Sequence, residues 1–338
     1  MLDVIRNAAE TAQRPLYLFD DDPDGLCSYL QFYRKIREGK GIIVKTTPHI
    51  TTKFLHFIEE NGPDKIFILD IAIVDQAFID EAKVPVIILD HHEPRDYHGA
   101  TYFNPRNDGG NVPISAVCYD LFKSDLWFAT VGAVSDWHLP SFIDEFAAKY
   151  PDLMGEKDVE QLLFHSKIGT LARVLSFNLK GKSEDVRKSL NVLAKIDSPY
   201  DILEQRTPQG KFIWKRYLAA NKVYEELHLR ATQDVVGSFL VFIYGDDRLS
   251  LSKDLANHLL HDHPDKVIII GRRRSGYYKL STRAKFLDLK PIVAESLKGL
   301  DGFGGGHEHA CGVVINENDY NEWLKRFKGH CTSETFNK

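Results

Sequence analysis

Four acidic clusters carry the chemistry this sequence offers: Asp20-x-Asp22-x-Asp24-Gly25, Asp70, Asp90-His91-His92, and Asp136 at the end of Gly132-Ala133-Val134-Ser135-Asp136. Carboxylates with imidazoles among them match the ligand preferences of Mn2+ or Mg2+. Aspartates gathered in one place repel one another, so two divalent ions sharing a bridging carboxylate would make such a cluster tolerable. A pair of this kind polarises a phosphoryl group, activates water and stabilises the leaving oxygen. The D-x-D-x-D-G run also opens a calcium-binding EF-hand loop. That loop needs a bidentate Glu at its twelfth position, where Gln31 stands, and a preceding helix, where Leu16–Phe19 reads as strand.

The elements that must position these groups follow from the apolar runs. Leu16–Phe19, Ile66–Leu69 and Val84–Leu89 stop at Asp20, Asp70 and Asp90. Strands apolar on both faces suit a parallel sheet covered by helices. The acids then sit at the carboxyl ends of strands, where open α/β sheets place their ligands. Ile42–Lys45 reads as a further strand. Helices are expected after Gly25, from the spacing of Leu26, Tyr29, Leu30 and Tyr33, and over Thr51–Glu60 and Asp75–Ala82. Val112 to Leu193 is mainly helical, and Phe212–Leu229 reads as one long helix. A second α/β unit starts near Val235, with strands Phe239–Tyr244, Val267–Ile270 and Tyr277–Thr282, the last two forming a hairpin at Gly276. Helix Asp288–Lys298, a glycine-rich turn over Gly302–Gly312, strand Val313–Ile315 and helix Tyr320–Phe327 complete it. The expected fold class is α/β, with two α/β domains: a parallel-sheet domain over 1–195, a helical linker over 196–232 and a smaller mixed-sheet domain over 233–338.

The ordered acidic motifs resemble motifs I to IV of the DHH phosphoesterases. Gly304-Gly305-Gly306-His307-Glu308-His309-Ala310-Cys311-Gly312 is similar to the GGGHxxAAG signature of the DHH-associated C-terminal domain, and Ser281-Thr282-Arg283 to its Ser-x-Arg element. Nano-RNases, pAp phosphatases and the family's pyrophosphatases carry a His four residues before the first ligand Asp, where Leu18 stands here. RecJ-type exonucleases carry D-x-D-x-D-G instead. RecJ proper is longer, with an added OB-fold for which this length leaves no room.

The resemblance implies that Asp22, Asp24, Asp70, His91 and Asp136 are metal ligands, with Asp20 an additional one, for two divalent cations, Mn2+ before Mg2+. It implies that Asp90 orients His91 and that His92 faces the scissile phosphate. In the second domain, Ser281, Gly305, Gly306, His307 and Arg283 are the expected substrate contacts, with Arg106 a further one on the first domain. The implied activity is a two-metal phosphodiesterase that trims single-stranded DNA or RNA from an end, the second domain clamping the strand and a replication or repair assembly as protein partner. The alternatives are a nano-RNase or pAp phosphatase type acting on short oligonucleotides, and a non-catalytic replication scaffold like Cdc45.

The net charge of −5 excludes nucleic-acid binding by global charge. It does not exclude local binding, since seven of the acids belong to the expected metal centre and its surroundings. Lys266, Arg272, Arg273, Arg274, Lys279, Arg283, Lys285 and Lys290 face a single acid, Asp288, in their stretch. With Tyr277 and Tyr278 among them, they suit a single-stranded backbone with stacked bases. Four scattered cysteines without a CxxC pair, no apolar run of membrane-spanning length and no signal-peptide order point to a reducing, cytoplasmic setting. His258, His261 and His263 have a zinc-like spacing, but no fourth ligand lies near them in sequence, so they read as solvated histidines before Pro264.

Overall fold

A computed structural model describes residues 1–45, 49–233, 235–245 and 249–335. It divides into two compact units, Met1–Tyr217 and Leu218–Lys338. In the first, α1 (Leu2–Glu10), β1 (Leu16–Asp20), α2 (Pro23–Ile36), β2 (Lys40–Val44), β3 (His49–Ile50), α3 (Leu55–Asn61), β4 (Ile66–Leu69), β5 (Ile73–Val74), α4 (Gln76–Ala82), β6 (Val86–Leu89) and β7 (Ala100–Phe103) alternate. Helices α5 (Ile114–Phe122), α6 (Leu126–Ser135), α7 (Ile143–Lys149), α8 (Val159–His165), α9 (Lys167–Asn178), α10 (Ser183–Leu193) and α11 (Pro199–Leu203) follow. The boundary between the units falls within α12 (Pro208–Ala231).

The first unit's main sheet has the order β2-β1-β4-β6-β7, every neighbouring pair parallel. Alternation sorts its side chains. Leu16 and Leu18 join Ile66, Ile68, Val86 and Ile88 in one core with Phe78 of α4. Tyr17, Phe19 and Phe67 face α2, where Phe19 stacks on Tyr29 with centroids 4.5 Å apart and Phe67 meets Phe32 at 4.9 Å. Strand β7 departs from the sequence expectation: it is a short, half-buried edge strand, and its mixed composition gave no apolar run to read. The helix expected over Thr51–Glu60 is a 3-10 turn, Thr52–Phe54, running into α3.

Two glycines let the helices close on the strand ends. A Cβ on Gly25 would lie 2.8 Å from Asp20 N and 2.9 Å from Asp20 O, so only glycine lets the first turn of α2 sit against the end of β1. A Cβ on Gly132 would lie 2.5 Å from Ser115 Oγ and 2.9 Å from Cys27 Cβ, so glycine is what admits α6 between α5 and α2.

The second unit contains β8 (Val235–Val236), β9 (Phe239–Tyr244), α13 (Ser252–Asp262), β10 (Val267–Arg274), β11 (Tyr277–Arg283), α14 (Leu289–Leu297), β12 (Gly302–His307), β13 (Ala310–Asn316) and α15 (Tyr320–Thr335). Its sheet, β12-β13-β11-β10-β9-β8, is mixed, with β9 and β10 parallel and the rest antiparallel. Ile269, Leu280, Val313 and Ile315 on one face form a core with Trp323 and Phe327 of α15. Helix α13 packs on β10 and β11. The glycine-rich segment corrects a sequence expectation. It is an edge strand, β12, paired with β13 through a reversal at Glu308-His309, and Gly305 stands opposite Gly312. Glycines without side chains can form a ladder as well as a turn, and the pairing partner, not the composition, decides. Among the described residues no helix is long and apolar enough to cross a membrane.

Candidate metal centre

Asp20, Asp70 and Asp90 stand at the carboxyl ends of β1, β4 and β6, which are neighbours in the sheet. Asp70 takes a left-handed backbone, φ +61°, while its N–H still donates to Leu89 O at 2.8 Å. Asp22 is the N-cap of α2, its Oδ1 accepting from Gly25 N at 3.1 Å. Asp136 caps the C-terminus of α6. The carboxyl ends of three neighbouring strands and two helix ends thus bring four separate sequence motifs together.

His91 Nε2 lies 3.2 Å from Asp70 Oδ1 and 3.4 Å from Asp136 Oδ2. Asp70 is 2% exposed and His91 6%, yet neither Asp70 Oδ1 nor His91 Nδ1 has a hydrogen-bond partner. Buried polar atoms are ordinarily paired, so an unpaired Asp70 Oδ1 beside His91 Nε2 calls for a missing partner. An octahedral ion with bonds of about 2.1 Å sets adjacent ligand atoms about 3 Å apart, which is the spacing seen here. Asp20, Asp22 and Asp70 also offer atoms within 4.8 Å of one another, as do Asp70, His91 and His92, so Asp70 is common to both groups. Burial pushes the Asp70 carboxyl well above its usual range, and the charges of Asp24, Asp22, Asp20 and Asp136 push it further. Divalent cations would reverse that, and this donor set fits them.

Asp24 meets the first turn of α5. Its Oδ1 accepts from Ser115 N at 2.9 Å and from the Ser115 hydroxyl, and its Oδ2 from Ile114 N at 2.9 Å. Burial still raises its pKa, as the largest effect, and His91 opposes that rise. Oδ1 accepts two hydrogen bonds and Oδ2 one, so a lone pair on Oδ2 leaves Asp24 able to face a cation. Asp90 corrects an expectation: it holds His92, not His91. Its Oδ1 accepts from His92 Nδ1 at 2.7 Å and its Oδ2 from His92 N at 3.1 Å, because a carboxylate readily folds onto the residue two positions ahead. Burial disfavours the His92 imidazolium, but the Asp90 hydrogen bond and the surrounding aspartates outweigh it and leave the pKa raised.

Arg106 touches this segment, its Nε donating to His91 O at 2.6 Å. Asn104, buried, donates to His92 O at 2.9 Å and accepts from Arg106 N at 2.9 Å. Sequence reading missed Asn104 and Ser115. Their only signals are positional: an Asn before Pro105 at a helical start, and a Ser just after Pro113.

In the second unit the strand register puts Gly305, Gly312 and Ser281 in one cross-strand row and His307, Ala310 and Arg283 in the next, on the same face. A Cβ on Gly305 would meet nothing within 4 Å, so the glycine floor is open. Gly306 serves packing, since a Cβ there would lie 2.3 Å from Ala310 O. Arg283 differs from the expected phosphate fork. It is buried, its Nε donates to Asn257 Oδ1 at 2.6 Å and its Nη1 to Thr282 O at 2.8 Å, and burial pulls its pKa down to about 10. Of the expected tyrosines, Tyr278 packs on Tyr320 of α15, while Tyr277 lies on the Lys279 face with its hydroxyl donating to Asp301. The exposed aromatic on the glycine face is Phe303, at 61%. It shares a row with Val314, Lys279 and Arg272. Arg272 is 6% exposed with Nε lacking a partner, and burial, then Arg272 and Arg274, pull the Lys279 amine down.

Residues 17–150 match the DHH family, N-terminal domain, and residues 238–332 match the DHHA1 domain. No curated protein matches the chain by sequence. The fold is similar to RecJ of Thermus thermophilus in complex with Mn2+, with TM-score 0.70 and 14% identity over 98% of this chain and 54% of that one. It is similar also to an exonuclease RecJ bound to manganese, with TM-score 0.64 and 13% identity over 98% and 93% of the two chains. Cdc45 from Entamoeba histolytica gives TM-score 0.54 and 10% identity over 96% of each. The chain spans little more than half the length of the Thermus protein, and identities this low bear on the fold alone.

Proposed function

Because this chain belongs to the DHH family, with a DHHA1 domain after its first unit, we propose that it is a divalent-metal-dependent phosphodiesterase that shortens single-stranded DNA or RNA from one end. The observation that carries the reading is Asp70, buried and unpaired at Oδ1, with His91 Nε2 3.2 Å away and Asp70 common to two ligand groups. Asp20, Asp22, Asp24, Asp70, His91 and Asp136 are the residues that would hold two ions, and an imidazole among carboxylates favours Mn2+ over Mg2+. When bound, such ions supply the charge that polarises a phosphoryl group and activates water.

The remaining roles belong to the chain. Asp90 fixes the His92 ring and favours its protonated form, so His92 donates to a phosphoryl oxygen. Arg106, held against His91 O, adds a positive guanidinium beside the same segment. In the second unit, the open floor at Gly305 lets a phosphate approach the backbone closely, with Ser281 and His307 on the same face. Phe303 and Lys279 continue that face with a base-stacking ring and a cation. Leu18 supports a RecJ-type reading over a nano-RNase type, since it is fully buried in the β1 core and supplies no imidazole.

The test is digestion of end-labelled single-stranded DNA, RNA and dinucleotides with Mn2+. Stepwise shortening from one end supports the proposal. Hydrolysis confined to dinucleotides would favour the short-oligonucleotide type, and no hydrolysis of any substrate would favour a Cdc45-like scaffold.

A further inference from the structure

Of the histidines near Pro264, His258 acquires in the fold the partners it lacks in sequence. Helix α13 carries His258 and Asp262 one turn apart, the spacing that puts two ligand side chains on one helix face. Helix α12 brings His228 against them. His228 Nε2 stands 2.9 Å from Asp262 Oδ2, and His258 Nε2 stands 3.9 Å from Asp262 Oδ1. One ligand atom from each of the three lies within 4.8 Å of the other two, and the imidazole rings lie face to face with centroids 4.3 Å apart. The hydroxyl of Tyr224, a buried residue one turn before His228, is hydrogen-bonded to His258 Nδ1 at 2.7 Å. With the proton on Nδ1, that bond fixes the ring with Nε2 on the Asp262 side, an outer support of the kind that orients a metal-ligating histidine.

The geometry points to a second metal site, separate from the aspartate centre, that takes Zn2+ or a similar borderline-soft ion. Its ligands are His228 Nε2, His258 Nε2 and one oxygen of Asp262, with water completing the tetrahedron. Two imidazoles and one carboxylate match zinc, whereas the aspartate-rich centre matches harder ions. Ligands of a tetrahedral zinc ion stand about 3.4 Å apart, between the two distances observed, so side-chain torsion alone closes the site. Zinc there ties the C-terminal part of α12 to α13 within the second unit and stabilises it.

Calorimetric zinc titration of the chelator-stripped full chain tests this, using Asp70→Asn/His91→Ala as the parent, which removes the ligand common to both groups of the aspartate centre. The parent should bind one zinc ion at micromolar concentration or tighter and melt higher with it. His228→Ala and the near-isosteric Asp262→Asn should lose both effects. Tyr224→Phe, which keeps the packing, should weaken binding about tenfold without abolishing it. Zinc binding by Asp262→Asn equal to that of the parent, or no binding by the parent at micromolar zinc, overturns the site and leaves a histidine–aspartate ion pair. The melting curve without zinc shows that each variant is folded.

Discussion

Asp70 Oδ1 and His91 Nε2 stand 3.2 Å apart in the interior, and Asp70 Oδ1 nonetheless has no hydrogen-bond partner. The charges of Asp24, Asp22, Asp20 and Asp136 all press on this same buried carboxyl. The metal-free centre is therefore a region of stored repulsion, and replacing one charge in it has opposite effects on stability and chemistry. Asp70→Asn should raise the metal-free melting temperature by about 2–4 °C and lower Mn2+-dependent hydrolysis about a thousandfold or more. Thermal melts with and without Mn2+, beside an end-labelled digestion, check both. Retained hydrolysis would remove Asp70 from the centre.

Asp90 bonds His92 and not His91, which separates two roles that the motif alone runs together. Asp90→Asn should lower kcat roughly a hundredfold while leaving Mn2+ affinity nearly unchanged. The sign of its pH effect follows from the raised His92 pKa. Activity that needs the imidazolium is lost as pH rises through that pKa, and removing the Asp90 charge moves the loss to lower pH. A variant that mainly weakens Mn2+ binding would instead put Asp90 behind His91.

Ser115 supplies the hydroxyl that completes the anchorage of Asp24. A hydrogen bond to a buried charge is worth about 1.5–3 kcal/mol, and Ser115→Ala should lose stability of that order in denaturant. Mn2+ affinity should fall with it, because Asp24 is then held by the backbone alone. Unchanged stability and affinity together would show that the hydroxyl is dispensable.

Phe303 is exposed on the open face of the second unit, so its removal should leave stability unchanged. Base stacking on an aromatic contributes about 1–3 kcal/mol, so Phe303→Ala should weaken single-stranded oligonucleotide binding about tenfold. Fluorescence anisotropy in EDTA reads this without interference from hydrolysis. Equal affinities would remove Phe303 from the substrate path.

The strands ending in Asp20, Asp70 and Asp90 were legible because an apolar run and its boundary acid are local features. Asn104 and Ser115 were not, because each acts on a partner that only the fold brings near, His92 and Asp24 respectively. Strand β12 looked like a turn because its glycines satisfy either structure until β13 is paired with it. Tyr277 and Tyr278 stand as aromatics among cations in the sequence, yet strand alternation and α15 turn Tyr278 inward, and the register brings Phe303 to the glycine face. His228 lies on a different helix from His258 and Asp262, so no local spacing could connect them.

At the first turn of α5 the backbone itself touches the acidic cluster. The amide protons of Ile114 and Ser115 point at Asp24, inside the acidic cluster yet far from it along the chain. Their resonances and exchange rates are a built-in gauge: as divalent ions enter, the charge felt through Asp24 changes, and these two protons register it. Occupancy of the centre is therefore readable by isotope exchange at two backbone positions, without substrate, turnover or a label on any ligand.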